Sequence, residues 1–162
     1  MKRIQLLAAG LVAAVGWPAP SWGQQTRLTV TGFPIVFNQP TAGDFDSGSI
    51  ASGNPVTFTV DARTGGTSQR TTIVSIRCAS PCPAQGNKPV NTLQWRRADL
   101  ATWSALATTD AAIETRLVFR NGTNDPWSNS VFFRFLLDWV GDPGSGALQQ
   151  YNVILTLTVT LP

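Results

Sequence analysis

Histidine is absent from this 162-residue chain. That removes Ser-His-Asp and Cys-His catalysis outright. It also leaves Cys78 and Cys82 as the only soft ligands, where a zinc site needs two more. Glutamate occurs once, at Glu114, so a catalytic carboxylate pair would have to come from aspartates. The near-neighbour pairs Asp44/Asp46 and Asp138/Asp142 read instead as turn residues, whose side chains bond their own backbone. No GxSxG elbow, phosphate-cradling glycine loop or dinucleotide fingerprint is present. The chain is therefore expected to be non-catalytic and to need no cofactor.

Charge is scarce as well. Asp, Glu, Lys and Arg together make up 13% of the chain, low for a freely soluble secreted enzyme. The formal net charge is +3, but Lys2 and Arg3 lie in a leader-like segment, and without them it is 3 − 2 = +1. Beyond the leader Lys88 is the only lysine, and the arginines are dispersed apart from Arg96-Arg97. Nucleic acid, which needs cations clustered on one face, is not an expected partner.

The leader itself has a basic start, an apolar run from Ile4 to Val15, then Pro18 and Pro20, and small residues at Ser21 and Gly23. This pattern predicts a secretory signal over residues 1–23, cleaved after Gly23, with a single domain over 24–162. The expected location is the periplasm, the cell surface or the exterior. No later apolar run is long enough for a membrane-spanning helix. In an oxidising compartment Cys78 and Cys82, four apart in CASPC, are expected to close a local disulfide. So short a loop mainly fixes local geometry.

What the chain has in quantity is period-two alternation. In the terminal YNVILTLTVTLP, Tyr151, Val153, Leu155, Leu157, Val159 and Leu161 share one parity, with threonines dominating the other. The same alternation marks Val56/Phe58/Val60, Thr72/Val74/Ile76/Cys78 and Ile113/Leu117/Phe119. The other dominant run is Val131/Phe133/Phe135/Leu137/Trp139, whose parity places Trp139 in the core. Gly32-x-Pro34 marks a strand bend, residues 38–54 read as loop, and 98–110 are open between a helical turn and a strand edge. Asn121-Gly122 is a turn dipeptide that also opens a glycosylation sequon. Gly141–Gly146 would return the chain so that the two long strands pair antiparallel. About 7–9 short antiparallel strands predict an all-β, immunoglobulin-like β-sandwich.

Three constellations invite functional readings. Asp44-x-Asp46-x-Gly48 opens like a calcium loop but lacks the later bidentate carboxylate, so a polar turn is preferred. Trp103 and Trp127 are candidate sugar-stacking rings, against the alternative that they simply pack. Arg96, Arg97 and Arg134 are expected to pair with Asp99 or Asp138. The terminal strand carries no charge, and at a sheet edge it would be a docking surface.

The segments IVFNQPTAGDFDSGSI and GSGALQQYNVILTLTVTLP resemble spore coat protein U-like and pilin-like secreted bacterial subunits. The residues that carry the resemblance are Phe37, Gly43, Gly48, Gly146 and Tyr151. It implies an incomplete immunoglobulin-like subunit, carried by a periplasmic chaperone and joined to copies or related subunits by donated strands. The expected function is that of a structural subunit or accessory of a surface fibre. A glycan-binding module is the alternative.

Overall fold

The structure is a computed structural model and describes residues 4–5, 25–63, 69–79, 89–118, 126–140, 142 and 155–160. In chain order the strands are β1 (Ile4–Gln5), β2 (Gln25–Thr31), β3 (Val36–Phe37), β4 (Ser49–Ala51), β5 (Val56–Arg63), β6 (Arg70–Cys78), β7 (Leu93–Arg97), β8 (Ser104–Ala105), β9 (Ala111–Val118), β10 (Trp127–Leu136) and β11 (Leu155–Thr160). A short helix, α1 (Ala42–Ser47), precedes β4, and a 3-10 turn over Val90–Thr92 precedes β7.

The larger sheet runs β2-β5-β10-β7-β8, with β4 pairing alongside the end of β10. The smaller sheet runs β11-β6-β9, and β1 pairs β3 as a separate ribbon. Every pairing among these strands is antiparallel. The chain is all-β, and the alternation explains why. Val56, Phe58, Val60 and Ala62 of β5, with Val131, Phe133 and Phe135 of β10, are buried from the larger sheet. Val74 and Ile76 of β6, Ile113 of β9 and Leu157 of β11 join the same apolar cluster from the smaller one. Burying each of these side chains other than Ala62 is worth about 1.5–3 kcal/mol, which holds the two sheets face to face.

Gly32 explains the bend after β2. Its φ is +95°, and a Cβ there would stand 2.3 Å from the Pro55 carbonyl oxygen. The chain leaves the larger sheet at this point, passes the cis Phe33–Pro34 bond, and enters β3.

Four expectations need correction. Residues 38–54 are not simply loop. Thr41 caps α1, its hydroxyl accepting from the Asp44 N–H while the Asp44 carboxylate accepts from the Thr41 N–H at 2.8 Å. Gly48 closes the helix in the left-handed conformation, and β4 follows. Second, β10 and β11 do not pair: they lie in different sheets. Third, β10 stops at Leu136, and hydrogen bonds between Asp138 and Asp142 then turn the chain. Fourth, Leu117 is exposed and Val118 buried, because a bulge reverses the parity of β9. Of the ambiguous 98–110 stretch, only β8 is regular.

Candidate interaction surfaces

Among the described residues the terminal strand forms an edge of the smaller sheet. Its register runs from Leu155 opposite Cys78 to Thr160 opposite Ile73, without a bulge. Among the described residues it has a hydrogen-bonded neighbour, β6, on one side only. Leu157 is buried, and Val159 packs partly against the core. Of the six predicted strand-pairing residues, Leu155, Leu157 and Val159 fall in β11, while Tyr151, Val153 and Leu161 lie outside the described residues.

On the outer face of the larger sheet Trp103 meets two arginines. The Arg96 guanidinium carbon lies 5.1 Å from the Trp103 ring centre and that of Arg134 lies 4.7 Å from it. Arg96 is also 5.1 Å from the Phe132 ring. Their remaining hydrogen bonds are neutral: Arg96 donates to the Leu100 carbonyl at 2.9 Å and Arg134 to the Gln94 side-chain oxygen at 2.7 Å. The pairing expected for Arg97 is present, with Asp99 accepting two bonds at 2.5 and 2.7 Å. Arg96 and Arg134 have no carboxylate within ion-pairing distance among the described residues, contrary to expectation. Trp103 is half-buried, its ring already engaged by cations.

Trp127, the other candidate sugar-stacking ring, is a buried residue rather than a surface one. It has the inward parity of β10 and pairs with buried Val60. Around it lies a polar corner that sequence reasoning missed. In β9, Val74 faces Glu114 and Ser75 faces Ala112, so Ile113 is the extra residue of a bulge. The bulge turns both Ile113 and Glu114 inward. Arg116 Nε donates to one Glu114 oxygen and Asn129 Nδ2 to the other, at 3.0 Å. Arg116 also lies over the Trp127 ring at 5.4 Å. Arg97 donates to the Ile113 carbonyl from β7 at 3.2 Å. The hydrogen bond from Arg97 holds the Asp99 carboxyl below its usual range, and that bond to Asp99 raises Arg97. With both oxygens engaged, Glu114 acts as a strut between sheets.

Trp139, expected in the core, is 59% exposed and stacks on Phe45 at 4.7 Å. The reason is that β10 ends before it, so strand parity no longer places its side chain. Asp44 caps α1, and the bond from the Thr41 backbone N–H, reinforced by its hydroxyl, lowers the carboxyl's pKa. With Asp44 committed to the cap, the preferred polar reading of the Asp44/Asp46 segment takes the form of a capped helix. The signal was legible: Thr41-x-x-Asp44 is a capping-box pattern. Buried Cys78 ends β6, and no free thiol occurs among the described residues. Cys82 and Asn121-Gly122 lie outside them. Within the predicted signal only Ile4–Gln5 is described, paired with Val36–Phe37.

Compared with known protein families, curated proteins and solved structures, the chain matches none.

Proposed function

We propose that this chain is an exported, non-catalytic structural subunit or accessory of a cell-surface or extracellular assembly, built as an immunoglobulin-like sandwich and joined to its partners through strand edges. The partner is a second copy or a related subunit, with a periplasmic chaperone as carrier. The observation that carries the reading is β11: unbulged, uncharged, and hydrogen-bonded on one side only among the described residues. Such an edge offers unpaired backbone groups to another chain. Removal of residues 1–23 would take β1 away and leave β3 with the Phe37–Ser52 bridge. That provides a second place for an incoming strand. A disulfide between Cys78 and Cys82 would brace the end of β6, the neighbour of β11.

The test is a comparison of boiled and unboiled exported protein on a denaturing gel. Strand-linked polymers give a ladder that collapses on boiling. Thr156→Glu, which places a charge on β11 opposite Arg77, is expected to weaken the ladder at least ten-fold while the monomer stays folded. A single monomer band both ways, or a ladder indifferent to the substitution, overturns the reading.

A further inference from the structure

We propose that the outer face of the larger sheet binds a carboxylate-bearing polysaccharide, with Arg96 and Arg134 receiving its anionic groups. This site is separate from the strand edge and does not depend on it. Arg96 stands opposite Phe132 in the β7–β10 register, and Arg134 lies two residues further along β10. The two cations are therefore diagonal neighbours on one face, roughly 7–8 Å apart at the backbone.

Three features make these arginines binding groups rather than one half of internal ion pairs. Neither has a carboxylate partner among the described residues. Both are positioned by ring faces and neutral acceptors, which fix the guanidinium without neutralising it. Both are half-buried, so part of the ordering cost of a long side chain is met before a ligand arrives. A guanidinium presents parallel N–H donors that match a carboxylate.

The neighbouring residues narrow the class of ligand. Along the same face of β10 the sequence is Ser128, Ser130, Phe132, Arg134. Ser130 pairs with Thr57 hydroxyl to hydroxyl at 2.9 Å, and Ser128 with Thr59 at 2.8 Å. The surface thus passes from cations through an aromatic ring to paired hydroxyls. A nucleic acid, with a charge at every step, calls for a continuing stripe of cations. An acidic polysaccharide alternates isolated carboxylates, apolar ring faces and neutral hydroxyls, and matches this order.

Affinity electrophoresis of the full exported chain through gels containing polygalacturonate, dextran sulfate or neutral dextran tests the proposal. Polygalacturonate is expected to retard the protein, in a salt-sensitive way, and neutral dextran to leave it unretarded. R96Q/R134Q is expected to weaken retardation at least ten-fold, whereas R77Q, which removes a cation from the smaller sheet, leaves it unchanged. Should the glutamine pair fail to fold, R96K/R134K keeps both charges but loses the planar fork, and an affinity loss of three-fold or more is expected. Equal losses in R77Q, wild-type retardation in both arginine double variants, or retention by neutral dextran would overturn the proposal. Retardation by dextran sulfate alone would overturn the assignment to a carboxylate polymer.

Discussion

The strands β9 and β11 are the two edges of one three-stranded sheet, both paired to β6, and they are built on opposite lines. β11 has no ionisable side chain and no bulge. β9 carries a bulge at Ile113, a buried carboxylate at Glu114 and an arginine at 116. It also receives a hydrogen bond from Arg97 across the sandwich. Bulges and charges are the devices by which exposed edges avoid pairing with other chains. Among the described residues, β9 carries such devices within its own sequence and β11 does not.

The largest effect should come from removing the bulge. Deleting Ile113 joins Ala112 directly to Glu114, which already face the consecutive residues Ser75 and Val74, so the ladder becomes regular and the bulge is gone. A buried isoleucine is lost together with the carbonyl that accepts from Arg97, so a loss of roughly 2–5 kcal/mol is expected in denaturant unfolding. An unchanged midpoint would mean that the bulge is dispensable. Next in size is the strut. Arg116→Ala leaves Glu114, whose side chain is 5% exposed, with Asn129 as its remaining neutral partner. Because Arg116 itself is half-exposed, water reaches part of the site, and the expected cost is roughly 1–3 kcal/mol. Adding Glu114→Leu should recover most of that loss by removing the stranded charge. If the double variant is no more stable than Arg116→Ala, the carboxylate does not carry the cost.

Much of this contrast was written in the alternation of residues, and the rest was not. Period two marked β5, β6, β10 and β11, because each has one face on the core and the signal averages over several residues. It failed at single-residue events. One extra residue at Ile113 exchanged the roles of Leu117 and Val118, and no local composition marks it. The end of β10 at Leu136 released Trp139 from strand parity and sent it to Phe45. Trp127 was offered both as a sugar-stacking ring and as a packing one, and the structure finds it packed inside. The Arg96–Trp103–Arg134 cluster depends on which strands are neighbours, and the connection from β10 to β11 misled on that point. The pairing of Arg97 with Asp99, two residues apart in sequence, was legible because it needs no long-range topology.

The smallest effect distinguishes the two edges by pH. Asp99 is solvent-exposed, and its carboxyl lies below the ordinary value of 3.8, chiefly because of the hydrogen bond from Arg97. A carboxylate whose pKa is depressed on folding stabilises the fold above its unfolded value and loses that contribution as pH falls through the folded one. Asp99 holds the arginine that donates to Ile113, so acidification should loosen the bulged strand first. β11 has no titrating group of its own and should respond less. Amide exchange, corrected for its intrinsic pH dependence, should show protection at Ile113–Arg116 falling relative to Leu157–Val159 below pH 3.8. In Asp99→Asn the β9 protection should start lower at neutral pH and fall less steeply, since the arginine has already lost its charged partner. Parallel loss at both edges, identical in wild type and Asp99→Asn, would mean that this carboxylate plays no part in defending β9.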